Sequence, residues 1–295
     1  MKSARLTLGR HTFDWGTRTY VMGILNITPD SFSGDGLMTG GEATHPAAEQ
    51  AAAFLAAGAT ILDVGGESTR PGSTPVSVEE ELGRVLPVIR ILRERFGDVL
   101  ISIDTCKAAV AVEAFKAGAR LLNDVWALRA DPELAGVAAR HEAPVILMHN
   151  RSNPASVEVR DRLGQAYVGA QYSNLVEDVK AELLQSVELA KQAGIPDEHI
   201  ILDPGIGFGK TIQNNLELIN RLGEIRALGY PVLLGPSRKS FIGFTLDAPP
   251  DQRVEGTAAA VAVGIVRGAD IVRVHDVPQI ARVAKMTDAL VRAPA

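Results

Sequence analysis

A single cysteine, Cys106, stands in 295 residues, so no intramolecular disulfide can form, and the composition suits a reducing compartment. The six histidines form no H-x-x-x-H pair and there is no C-x-x-C, which removes the usual transition-metal signatures. Basic residues are not in excess: 30 Lys and Arg against 35 Asp and Glu leave a net charge of −5, without the basic footprint of a nucleic-acid binder. No run approaches the ~20 apolar residues that a membrane-spanning helix needs. The opening "MKSARLTLGRHTFDW" lacks the continuous apolar core of a secretory signal, so the expectation is a cytoplasmic protein with no membrane partner.

What is abundant is apolar residue content, 46% against 22% charged, enough for a sizeable core. It is arranged in a recurring cadence: an alanine-rich helical segment, a glycine-containing stop, then a short β-branched run ending in a polar residue. "HPAAEQAAAFLAAGA" leads to "TILDVGGES", "KAAVAVEAFKAGA" to "RLLNDV", "VELAKQAGIPDEH" to "IILDPGIGFGK", and "VAVGIVRGA" to "DIVRVHDV". Short, nearly continuous apolar runs are what parallel strands covered on both faces look like. With "YVMGILNIT", "VLISIDT", "APVILMHN" and "PVLLGPS" the strands number about eight, the count that closes a (β/α)8 TIM barrel; a doubly wound open sheet is the alternative. "RLTLGRHTFDW" reads as an extra hairpin that plugs the barrel bottom. No low-complexity linker interrupts the chain, so we expect one α/β domain over residues 1–295, with the hairpin extension in 1–19 and the barrel in 20–292.

The strand ends carry Asn26, Asp63, Asp104, Asn123, His149, Asp203, Lys239 and the pair Arg273 and His275. In a barrel these ends converge on one rim, around one pocket. Taken singly, Asp104 and Asp203 read more readily as helix caps or turn residues, and Asn26 and Asn123 as satisfying loop backbone. That reading weakens when nearly every strand ends this way. Arg273 and His275, two apart, share one strand face and need either a structural carboxylate or an incoming anion. Asp276, one residue further on, should point away from Arg273.

Glycine- and hydroxyl-rich loops flank three of these ends: "TPDSFSGDGLMTGG", "GGESTRPGST" and "PGIGFGKT". They suit lids or backbone cradles for oxyanions. "GIGFGKT" is one residue short of a phosphate-binding G-x-x-x-x-G-K-[ST] loop, and "GPSRK" is not a G-x-S-x-G nucleophile elbow. Two buried carboxylates, an amide and a lysine suit the donor-and-acceptor edge of a flat heterocycle. Arg273 and His275, with hydroxyls such as Thr69 and Ser237, suit a phosphate-type group. The expected ligand is a heterocycle joined to an anion, with magnesium carried largely by ligand phosphates.

The stretches "MGILNITPDSFSGDG", "ILDVGGESTRPGS", "ISIDTCKAAVA", "LLNDV", "VILMHN", "LDPGIGFGKT", "LLGPSRKSFIG", "EGTAAAVA" and "GADIVRVHDV" follow one another over roughly residues 20–280. In this order they resemble the bacterial dihydropteroate synthase family. The resemblance implies a (β/α)8 barrel that joins 4-aminobenzoate to a dihydropterin carrying a hydroxymethyl diphosphate, releasing pyrophosphate and forming dihydropteroate for folate synthesis. It implies pterin contacts from Asp104, Asn123, Met148, Asp203, Lys239 and Arg273, and diphosphate contacts from Asn26, Thr69, Arg273 and His275. Mg2+ would be helped by Asn26. Aminobenzoate contacts fall on Phe32, Arg70, Pro71, Phe208 and Ser240, and the chemistry on Asn26, Asp104, Lys239, Arg273 and His275. Sulfonamide inhibition and a homodimer built on C-terminal helices are further implications.

Three departures from the family pattern stand out: "SFSGDG" displaces Asp35 by one residue, Pro236 precedes "SRK", and Asn150 follows His149. None removes an expected contact. Two competing functions share the barrel and pterin pocket: a methyltetrahydrofolate:corrinoid methyltransferase and a catalytically silent pterin-binding paralog. The first has little use for Arg273, His275 or the "ESTRPGS" loop, and the second is disfavoured by the retained Asn26, Arg70, Lys239, Arg273 and His275.

Overall fold

The computed structural model describes residues 4–28, 44–153 and 156–292. Two short strands, β1 (Arg5–Leu8) and β2 (His11–Asp14), pair antiparallel ahead of eight parallel strands. Those eight are β3 (Tyr20–Asn26), β4 (Ile61–Gly65), β5 (Leu100–Asp104), β6 (Leu121–Asp124), β7 (Val145–Met148), β10 (Ile200–Asp203), β11 (Leu233–Leu234) and β12 (Ile271–Val274). The hydrogen-bonded order runs β10-β7-β6-β5-β4-β3-β12-β11. A single parallel bridge, Leu202 with Val232, joins the last strand back to the first. The expected barrel therefore forms, and the open sheet does not.

The alternation of strand side chains positions everything that follows. One residue from each barrel strand, Met22, Ile61, Leu100, Leu121, Ile146, Ile201, Leu233 and Ile271, packs in the interior with Leu6, Phe13 and Trp15 of the N-terminal segment. The hairpin is thus the plug at the bottom of the barrel, with Phe13 and Trp15 rings stacked at 5.3 Å. The other strand face packs outward on the helices. In Val78–Phe96, the apolar residues Val85, Val88, Ile89 and Leu92 form one buried stripe, and Ser77 caps the start by accepting from the Glu80 amide at 3.2 Å. Fully burying such side chains contributes about 1.5–3 kcal/mol each.

Two features were not anticipated. An additional antiparallel hairpin, β8 (Val157–Arg160) and β9 (Gly164–Tyr167), follows the fifth barrel strand. The seventh barrel strand is only two residues long, because "PVLLGPS" turns into the loop that carries Ser237 and Lys239.

Candidate active site

Two residues up from the apolar layer, the inward positions are Ile24, Asp63, Ser102, Asn123, Met148, Asp203, Gly235 and Arg273; two further along bring Asn26, Gly65, Asp104, Ser237 and His275. A strand period of two therefore carries polar groups to the top of the barrel. At its centre lies Arg273. Its Nε donates to Asp63 at 2.6 Å, and one terminal nitrogen donates to Asp104 at 2.6 Å, across strands 210 and 169 residues apart in sequence. Asn123 donates to the same Asp63 oxygen at 3.1 Å. Both carboxylates push the Arg273 pKa upward and more than offset burial, which alone would lower it. The other oxygen of Asp63 is buried with no hydrogen-bond partner among the described residues.

Burial raises Asp104 to about 7; Arg273 opposes this and the neighbouring charge of Asp63 adds to it. Asp203 is also pushed up by burial, while its Oδ1 accepts from the Gly205 amide at 2.7 Å. Lys239 is pulled down to about 8 by burial, against the pull of Asp203. Its ammonium donates to the Ile206 carbonyl and sits 4.7 Å from the centre of the Phe208 ring. Gly205 can take this turn because its φ is +70°, and a Cβ there would lie 1.8 Å from the His149 carbonyl oxygen. His275 is held down to about 3 by burial and by the cations Arg273, Arg238 and Arg70, so it is a neutral hydrogen-bonding imidazole. Ser237 Oγ lies 3.1 Å from both its amide and its Nδ1.

A cavity of about 410 Å³ opens over this layer. It is lined by the expected Asn26, Thr69, Arg70, Pro71, Asp104, Phe208, Lys239, Ser240, Arg273 and His275. Asn123, Met148 and Asp203 do not line it: each is nearly fully buried, Asn123 beside Asp104 and Met148 beside Asp203 in strand register. Phe32 and Asp35 lie outside the described residues.

His149 is a correction. Because Met148 faces inward, the next side chain faces outward, and His149 is buried behind the barrel wall with Lys210 Nζ 3.0 Å from its Nδ1 and Glu182 Oε2 3.2 Å from its Nε2. Burial and the neighbouring cations hold it down to about 2. There it anchors Lys210, which donates to the Phe208 carbonyl at 3.0 Å and so braces the glycine loop. Asp276, as expected, turns away from Arg273; it pairs with Arg238, Nε to Oδ2 at 2.9 Å.

In the sequence Asp63 is one strand end among several, yet in the structure it is the partner that fixes Arg273 and Asn123. Its position two residues after inward Ile61 was the available signal. Glu67, Tyr167 and Arg253 also line the cavity and were not foreseen. Tyr167 donates to the Thr69 carbonyl at 3.0 Å, and Lys107 bridges Glu67 to buried Glu81, so the second loop is tied down from two sides.

A parallel barrel with this buried acid, amide and cation set at its C-terminal rim defines a pterin-binding enzyme: the family model described as "Pterin binding enzyme" matches residues 22–275. The chain is 49% identical to a dihydropteroate synthase of Clostridium beijerinckii, covering 97% of this chain and 100% of that one. Among solved structures, a dihydropteroate synthase from Clostridium difficile, determined in the presence of pteroic acid, superposes with TM-score 0.85 at 47% identity, covering 95% of this chain and 99% of that one. A Yersinia pestis dihydropteroate synthase with a sulfonamide drug complex superposes with TM-score 0.86 at 40% identity, covering 97% and 98%. The chain belongs to the dihydropteroate synthase family, and its activity is that of a transferase in folate synthesis.

Proposed function

We propose that a dihydropterin binds at the cavity floor, its donor and acceptor edge read by Asp104 and Lys239, which line the cavity, together with Asn123 and Asp203, which lie buried just beyond that lining, and with Met148 and Arg273 against its faces. The observation that carries this is the Arg273 fork, bound to Asp63 and Asp104 at the cavity floor with Lys239 and His275 beside it. A buried edge of fixed donors and acceptors rejects rings that cannot match it. The diphosphate of the substrate lies on Asn26, Thr69, Arg273 and His275, and 4-aminobenzoate enters between Arg70, Pro71, Phe208 and Ser240.

The reaction is a displacement at the pterin methylene. The C–O bond breaks with its electron pair leaving on the diphosphate; the cation left behind is delocalised into the pterin; the aminobenzoate nitrogen then forms the C–N bond and releases a proton to solvent. Arg273 and neutral His275 donate hydrogen bonds to the departing oxygens, where they stabilise charge that grows in the transition state. The loop held by Tyr167 and Lys107 excludes water from the cation.

The donor set fits a magnesium ion brought in by the substrate. Among the described residues no three His, Cys, Asp or Glu converge to hold a metal, while Asn26 offers an amide oxygen at the cavity wall. Bound there, the ion would neutralise diphosphate charge.

We further propose that residues 1–295 act as one pterin-binding domain, that sulfonamides compete for the aminobenzoate subsite, and that the protein is a cytoplasmic homodimer. No helix among the described residues is long and apolar enough to cross a membrane. The dimer reading rests on Met286 and Leu290, 60% and 71% exposed on the last helix.

The decisive assay is pyrophosphate release from the dihydropterin diphosphate with Mg2+, with and without 4-aminobenzoate, for wild type and His275→Ala. Aminobenzoate-dependent release that falls in the variant is the expected result. A folded, pterin-binding wild type that releases none would overturn the reading.

A further inference from the structure

Arg253 is a charged side chain that the reaction does not use. It is 3% exposed, and burial pulls its pKa down. Its guanidinium donates to three main-chain carbonyls: Ala248 at 3.0 Å, Arg238 at 2.8 Å and Leu163 at 2.8 Å. These belong to three separate segments, the turn after Ser240–Leu246, the loop carrying Ser237 and Lys239, and the tip of the β8–β9 hairpin; Arg238 and Leu163 line the cavity. Room for the guanidinium exists because residue 243 is glycine; a Cβ there would lie 2.1 Å from an Arg253 nitrogen.

The middle acceptor is the informative one. Arg238 has φ +57°, a left-handed conformation that costs a non-glycine residue of order 1 kcal/mol and persists only where neighbours over-determine it. Three neighbours do so: Arg253 takes its carbonyl, Thr257 Oγ1 accepts from its amide at 3.1 Å, and Asp276 pairs with its guanidinium. Arg238 sits between Ser237, which meets His275, and Lys239, which meets Ile206 and Phe208. Its backbone angle sets the direction of both.

We propose that Arg253 is a positioning residue: it clamps the left-handed turn at Arg238 to the β8–β9 hairpin, thereby aiming Lys239 and Ser237 into the cavity. Its effect on turnover rests on the synthase reading above. Its effect on the backbone does not.

The test compares wild type, Arg253→Met, Thr257→Val and Arg253→Met/Arg238→Gly in the full chain. Amide hydrogen exchange is followed over residues 161–167 and 236–241, and kcat and KM are measured for the dihydropterin diphosphate. In Arg253→Met, exchange should rise in both segments, and kcat should fall about tenfold or more, as for a small misplacement of reacting groups. Glycine adopts φ > 0 without penalty, so Arg238→Gly should recover part of the lost kcat, a rescue that a purely packing role does not predict. Thr257→Val loosens the same turn from the amide side and should raise exchange over 236–241 alone; it carries the test if Arg253→Met does not fold. Unchanged exchange in a folded Arg253→Met, or in Thr257→Val should Arg253→Met not fold, would overturn the proposal, as would a double variant no better than the single one. A wild type with normal exchange but no turnover would count against the synthase reading instead and leave the clamp to be decided by exchange.

Discussion

Asp63 has no solvent exposure and accepts from both Arg273 and Asn123. Removing its charge leaves a buried guanidinium short of a partner, which costs about 3–5 kcal/mol in comparable sites. Asp63→Asn should lose that much in urea denaturation and, with Arg273 no longer aimed, should impair turnover as well. Asp104 carries the pH dependence. It is an acid raised to about 7, so at lower pH it is protonated, loses the charge that strengthens its acceptance from a pterin edge and presents an O–H to that edge's donors instead. A ligand that donates to its ionised form lowers that pKa and releases a proton on binding. Lys239, lowered to about 8, loses its charge at higher pH. The two charged forms coexist between about 7 and 8, and kcat/KM should be bell-shaped with its top there. A flat profile from pH 6 to 9 would contradict this assignment; loss of only the acidic limb in Asp104→Asn would support it.

At the scale of elements, the two hairpins divide the labour. The first closes the bottom of the barrel with Phe13, 1% exposed, far from the polar layer. Phe13→Ala should cost about 3–5 kcal/mol in denaturant unfolding and leave KM for both substrates unchanged. The second hairpin reaches the cavity and holds the second loop through Tyr167 and the Thr69 carbonyl. Tyr167→Phe removes one hydrogen bond, worth about 1 kcal/mol, and should raise KM for aminobenzoate severalfold with little change in thermal stability. The departures from the family pattern are accommodated locally. Pro236 presents its carbonyl to the Lys239 amide at 3.3 Å, and Asn150 spends its side chain on Ser152 and the Val125 carbonyl.

For the whole molecule, the last two helices, Val254–Val266 and Val277–Val291, expose Val263, Val266, Met286 and Leu290 on the side opposite their buried faces. On adjacent helices they are the residues against which the proposed homodimer can be tested. Light scattering after gel filtration should give twice the 31.3 kDa chain mass, and Met286→Asp/Leu290→Asp should give the monomer. A wild-type monomer would remove the dimer proposal without touching the site.

Local events are legible in the chain alone. The helix-stop-strand cadence, the parallel character of the strands and the inward place of Asn26, Asp104, Asn123, Asp203 and Arg273 all follow from periodicities of 3.6 and 2, which short-range sterics impose on any chain. The same period, applied from inward Met148, would have turned His149 away from the pocket. Which of these residues meet is a matter of long-range packing. The parallel ladders that set β12 beside β3 and β3 beside β4 bring Arg273 to Asp63 across 210 residues, a pairing no local rule contains. The same holds for Arg253, whose three acceptors lie on three separate segments and whose passage depends on a missing side chain at Gly243. Contacts of that kind are set by how packed elements exclude one another in space, and that information exists only once the barrel has closed.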